Sequence, residues 1–171
     1  QRIGLSVFFF LAGLIFASWT SRIPTIKTAL NLNEAELGSL LFLMPISSSI
    51  GLGVSAWILE RFDTRWPLLW SFIFICIFLF MIGSSDSTFL FGLSIFLFAF
   101  ANRILHIVLN TQSITVQKRF DKNINGSFHA LWSIGGIAGV GITTLLVAFD
   151  IGIVIHHTLV AISVIVTAGI M

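Results

Sequence analysis

Six apolar runs of membrane-spanning length follow one another with only short polar breaks between them, and this pattern leaves few folds open. The runs cover about 4–21, 39–58, 67–83, 88–117, 127–148 and 151–171. A span needs about 20 apolar residues as a helix. Helix is also the conformation that satisfies every backbone N–H and C=O within one segment where no water is available. Charged residues make up 9% of the chain, against about 25% in a soluble domain. The expected fold is an all-α membrane protein, with residues 1–171 forming one six-helix transmembrane domain in a lipid bilayer. The chain begins with Gln1 and stops at Met171 inside an apolar run, so we expect it to be part of a longer polypeptide.

The breaks carry their own signals. Arg22 to Gly38 reads as the longest loop, with Pro24 near its start. Asn33 with Glu36 three residues on is a capping box that opens the second helix. Ser84 to Ser87, Asp121 to Gly126 and Asp150 mark tighter turns. Basic residues set the orientation. With both ends cytoplasmic, Arg2, Arg61, Arg65, Lys118, Arg119 and Lys122 lie inside and only Arg22 and Lys27 outside, as the positive-inside rule requires. A net charge of +2 without a long basic cluster gives no reason to expect nucleic acid. The single cysteine, Cys76, lies in an apolar run and reads as a core filler.

Arg103 stands in the middle of the fourth run, roughly 20 Å from either end at 1.5 Å per residue. Placing an arginine at that depth costs about 2.5–3.5 kcal/mol on insertion scales, and such residues face a protein interior or a wet cavity. Asn102, Arg103, His106, Asn110, Ser113 and Gln117 fall on one side of this helix, opposite Phe, Leu and Ile. The strip reads as the wall of a solute path; the other reading is a hydrogen-bonded seam between helices.

The fifth run places His129, Trp132, Ser133, Gly136 and Thr143 on one face, with Gly135 and Gly139 beside it as a close-packing pair. The first run aligns Ser6, Gly13, Ala17 and Thr20, with Trp19 and Arg22 at its outer end. Trp19 reads either as an interfacial anchor or as a stacking surface for solute. In the second run Pro45 can bend the helix ahead of Ser47 to Gly53. His156 and His157 sit near the outer surface; adjacent positions point in two directions, so no metal site is expected. The third and sixth runs are mostly apolar. Runs one, two, four and five carry the small and polar residues, and we expect those four to line a cavity.

Some of these residues resemble a known family. Ala56-Trp57-Ile58-Leu59-Glu60-Arg61-Phe62-Asp63-Thr64-Arg65 resembles the loop signature G-x-x-x-D-R-x-G-R-R of the major facilitator superfamily. Glu60 and Arg61 stand at its acid and first arginine, and Arg65 at a later basic residue. Ala17 to Pro24 followed by Glu36-Leu37-Gly38, and Asn110-Thr111-Gln112 continuing to Ser127 to Gly136, are similar to the fucose-permease-like bacterial inner-membrane branch. The resemblance implies the N-terminal six-helix half of a rocker-switch permease, built as a 3+3 inverted repeat, with a carboxyl-terminal half still to come. It implies that Glu60, Arg61 and Arg65 help hold an inward-closed state.

Together these readings predict a secondary active transporter that moves a small polar solute, a sugar or an anionic metabolite, by alternating access. Arg103, His106, Asn110, His129, Trp132 and Trp19 are the expected substrate-binding residues. Permeases of this type usually carry a membrane carboxylate, and this half has none. If protons are coupled, His106 or His129 carries them, since imidazole titrates near neutral pH, or the carrier lies in the other half. Multidrug or metabolite efflux by proton antiport is the second reading; Val140 stands where the antiporter signature has proline. A six-helix scaffold without transport is a third. No enzyme, metal or cofactor is expected, because no Ser/His/Asp, metal-ligand or phosphate-cradling pattern is present.

Overall fold

The computed structural model describes residues 1–170. Its helices are α1 (Arg2–Thr20), α2 (Ile23–Ala29), α3 (Glu34–Leu41), α4 (Leu43–Arg61), α5 (Arg65–Gly83), α6 (Thr88–Gln117), α7 (Asn125–Ala148) and α8 (Ile153–Ile170). Six stretches are long and apolar enough to cross a membrane: Arg2–Ala29, Glu34–Arg61, Arg65–Gly83, Thr88–Gln117, Asn125–Ala148 and Ile153–Ile170. Met171, the end expected for the sixth segment, lies outside the described residues.

The stretch Arg22 to Gly38, expected as a loop, is mostly helical, because α2 and the start of α3 occupy it. Two prolines set the breaks on either side. A proline ring clashes with the carbonyl four residues earlier; Pro24 therefore ends α1 at Thr20, and Pro45 ends α3 at Leu41. The capping box forms as expected: Asn33 Oδ1 accepts from Glu36 N, and Glu36 Oε2 from Asn33 N, each at 2.9 Å. Lys27 and Glu34 form an exposed ion pair between α2 and α3. Asn31 and Asp150 adopt φ of 51° and 55°, a left-handed conformation that Asn and Asp tolerate better than other side-chain-bearing residues. At Asp150 it closes the α7–α8 turn, where Ile151 N donates back to Leu146 O at 2.8 Å.

The helices pack in two layers. α1 lies along α7, and α4 along α6; α1 and α6 also touch, making a front layer in the order α4, α6, α1, α7. Behind it α5 packs on α6 and α8, and α8 also on α1. This pairing is unchanged when spans one to three are exchanged with spans four to six, as an internal two-fold repeat demands.

Glycines bring α1 and α7 together. A Cβ on Gly135 would strike the carbonyl of Phe10, one on Gly13 that of Trp132, and one on Gly139 that of Leu14 at 2.6 Å. Small residues at such crossings give van der Waals contact between backbones, which drives association in lipid where the hydrophobic effect does not. The core between the layers is aromatic and aliphatic: Phe9, Phe72, Phe91, Phe98, Ile75 and Leu79 are all 1% exposed or less.

Candidate functional site

α6 is well covered on its back, where Phe91, Ile95, Phe98, Leu105 and Leu109 are buried, yet its front surface is open. Arg103 is exposed there, and Asn102, His106 and Asn110 are half-buried. The neighbouring hydroxyls are internally satisfied: Thr111 donates to Ile107 O at 2.9 Å and Ser113 to Asn110 O at 2.8 Å. Among the described residues no hydrogen bond or ion pair engages the side chains of Asn102, Arg103, His106 or Asn110, and the ion pair present is Lys27 with Glu34. Four polar side chains on one helix face are costly against hydrocarbon, and among the described residues they form no hydrogen-bonded seam with another helix.

The Arg103 stem is held in place by what α4 leaves out. Gly51 is buried against it, and a Cβ at Gly51 would come within 3.2 Å of Arg103 Cβ, 3.3 Å of its Cγ and 3.2 Å of Phe100 O. Nearby, Ser47 Oγ donates to Phe96 O at 2.5 Å and fixes α4 against α6.

Across the front layer, His106 meets Trp132 of α7 edge-on with ring centroids 6.1 Å apart, and Trp132 leans on Phe16 of α1 at 6.3 Å. The Trp132 Nε1–H is buried and has no acceptor. His129, one turn earlier on α7, is exposed with its ring edge on Phe9 at 5.5 Å. Beyond Trp132 opens a groove of about 610 Å³ between α1 and α7, walled by Gly13, Phe16, Ala17, Thr20, Gly136 and Val140 among others. Its surface is almost wholly apolar. Trp132 thus stands between a polar patch on α6 and a greasy groove on α1 and α7.

Two residues of the expected strip are occupied elsewhere. Ser113 is fully buried. Gln117 turns to the next helix, its Oε1 accepting from Ile124 N at 2.7 Å and Asn125 N at 3.1 Å. It serves the unpaired N–H groups at the start of α7.

Trp19 does not join the group. It is 1% exposed, lies edge-on to Phe98 at 5.8 Å, and its Nε1 has no acceptor. An indole with no open face cannot stack on a solute, and an indole enclosed by protein is not a membrane-interface anchor. The expectation for Trp19 is corrected on both counts.

Arg22, His156 and His157 keep their expected places near the end of the bundle read as outer but are enclosed by neighbouring helices. All three are buried, at 3%, 0% and 0% exposure. Arg22 Nε donates to His156 Nδ1 at 3.2 Å, and its Nη2 donates to Ile151 O at 2.7 Å. Because Nδ1 accepts, the proton sits on Nε2, which faces Thr143 Oγ1 at 3.5 Å; that hydroxyl donates to Gly139 O at 2.7 Å. His157 Nδ1 donates to Leu79 O at 3.0 Å. A Cβ on Gly83 would lie 2.9 Å from His157 Nδ1, so Gly83 makes room for the ring. Sequence reasoning missed this network. Its available signal was a pair of apolar-flanked histidines with no carboxylate in the spans to explain them.

Glu60, Arg61 and Arg65 are all exposed at the α4–α5 turn. The Arg61 guanidinium lies 4.7 Å above the Trp57 ring, and Arg65 N donates to Asp63 Oδ1 at 3.4 Å. Among the described residues none of the three side chains forms an ion pair. Thr64 and Arg65 share a groove of about 590 Å³ with Gln1, Gln112 and Arg119, so the chain start, the α4–α5 turn and the end of α6 lie on one side of the bundle.

No protein-family model matches the chain. It is 28% identical to an uncharacterized MFS-type transporter of Yersinia pestis over 82% of its length. It is 21% identical over 94% to an uncharacterized transporter of Sinorhizobium fredii, and 29% identical over 77% to the membrane protein MosC of Rhizobium meliloti. The matched part spans 37%, 43% and 32% of those relatives. The structure superposes on the crystal structure of the nucleoside transporter NupG with a TM-score of 0.83 over 99% of this chain and 44% of that one, at 18% identity. The fold is that of a six-helix half of a major facilitator superfamily transporter, and the chain is similar over most of its length to bacterial membrane proteins that include an MFS-type transporter.

Proposed function

We propose that this chain is the N-terminal half of a secondary active transporter that carries a small polar solute by alternating access. The observation that carries the reading is the open face of α6, where Arg103, His106 and Asn110 have no partner within the half. In this proposal they bind solute together with His129 and Trp132. The face closes against a second six-helix half of the same polypeptide or of a paired chain. The relatives' greater length supports this. Both ends of this half lie in the cytoplasm of a bacterial inner membrane, as the distribution of basic residues favours. Glu60, Arg61 and Arg65 then face the cytoplasmic side, free to pair across the interface when the halves rock. Protons, if coupled, pass through His106, His129 or the other half. Efflux of lipophilic cations gains no support from this half, whose seven acidic residues are all exposed at helix ends and turns.

The test is uptake by membrane vesicles carrying the whole reading frame that contains this chain. Arg103→Ala should insert normally and lose uptake. Full uptake by that variant would remove Arg103 from the solute path.

A further inference from the structure

We propose that the open face takes a small organic anion, with its acidic group on Arg103 and its apolar or ring portion against Trp132 at the mouth of the α1–α7 groove. The inference rests on the transport reading above and narrows it to one class of solute.

The sign of the charge is the first argument. Arg103 is the sole charged residue between Thr88 and Gln117. The seven acids are Glu34 and Glu36 in the first turn of α3, Glu60 in the last turn of α4, and Asp63, Asp86, Asp121 and Asp150 in turns. All are exposed and none belongs to the middle of a span. A guanidinium that meets no acid within its own half is stabilised by an anion that enters with it, and its planar fork suits carboxylate or phosphate oxygens.

The second argument is the surplus of donors. Arg103 offers five N–H groups and no acceptor. The Trp132 Nε1–H is a donor, and it is buried without an acceptor. The indole N–H is enclosed by protein, whereas the Arg103 guanidinium is exposed; an acceptor-rich solute answers the guanidinium, and a carboxylate or phosphate has the most acceptor sites per unit size.

The third argument is fixed position. Gly51 lets the first two carbons of the Arg103 stem lie directly on α4. A guanidinium held at its base loses less freedom on binding than one on a free stem. The groove beyond Trp132 supplies an apolar wall for the rest of the solute. Gly51 is accordingly a positioning residue for Arg103.

The experiment uses the whole purified protein and follows its thermal midpoint with solutes matched in size and differing in charge: glucuronate, glucose and glucosamine, then benzoate, benzyl alcohol and benzylamine, then a metabolite library sorted by charge. Anions should raise the midpoint of the native protein. Arg103→Gln should bind them about 10- to 100-fold more weakly, the range for one charge-assisted hydrogen-bonded contact. Gly51→Ala, which keeps the charge and shifts the stem, should reduce the preference for anion over neutral solute. If Arg103→Gln does not fold, Arg103→Lys takes its place and should bind anions more weakly than native. Neutral or cationic solutes that stabilise native and variant protein alike would overturn the anion assignment and leave transport standing. No stabilisation and no uptake for any solute class would overturn the transport reading itself.

Discussion

Arg22 at the end of α1 donates through Nε to Nδ1 of His156 on α8, 3.2 Å away, and the same guanidinium reaches Ile151 O at 2.7 Å. This contact joins the first and last spans at the end of the bundle opposite Arg65 and Arg119. It replaces the carboxylate that a buried arginine usually finds with a neutral imidazole and a carbonyl. Thr143 extends the chain of donors to Gly139 on α7. One cation therefore holds α1, α7 and α8 in register.

Arg22→Leu should lower stability by about 1–3 kcal/mol, because it leaves His156 Nδ1 and Ile151 O without a donor in a dry interior. Thr143→Val should cost less, about 0.5–1.5 kcal/mol, since that hydroxyl is a weaker partner at 3.5 Å from the ring. Thermal unfolding of both variants in detergent checks the order; Thr143→Val proving the worse would refute the hierarchy.

Gly135→Ala should destabilise the α1–α7 crossing by about 1–3 kcal/mol, as overpacking against a rigid backbone does. The added Cβ would meet the Phe10 carbonyl, which cannot swing aside as a side chain could. Gly141→Ala faces open space and should change stability by less than about 0.5 kcal/mol. Equal effects at the two positions would show that helix propensity, rather than close approach, governs.

The two tryptophans should separate stability from binding. Trp19→Ala removes a ring that is 1% exposed and should cost about 3–5 kcal/mol while leaving the KM of the folded fraction unchanged. Trp132→Phe keeps a ring but shortens the wall that Trp132 gives the α1–α7 groove. It should leave the thermal midpoint near native and raise KM. A KM change in Trp19→Ala without loss of stability would reverse the assignment.

Orientation is open to direct labelling. Cys76 is buried at 2% exposure and should stay silent to a membrane-impermeant thiol reagent. Asp86→Cys should react on intact cells, and Lys122→Cys only after the membrane is opened. The opposite pattern would invert the placement of both ends.

The sequence by itself determined that the chain is six membrane helices. Hydropathy counts spans without knowing their neighbours, because the requirement for internal backbone hydrogen bonding acts on each segment alone. The local devices were legible for the same reason: the Asn33–Glu36 box and the bend at Pro45 involve residues a few positions apart. The polar face of α6 was legible too, since 100° per residue places Arg103, His106 and Asn110 together before any partner is known.

Only the tertiary structure decided what each polar group meets. Trp19, Arg22, His156 and His157 look like boundary residues in the sequence, and all four are buried by helices more than 60 positions away in the chain. Gln117 belongs to the polar strip by periodicity, yet it turns to the first amides of α7. The role of Gly51 is visible only once Arg103 lies on it. Helical periodicity fixes which side of a rod a residue occupies; which rod faces that side follows from packing between distant segments, and that information is shared among helices rather than held by any one of them.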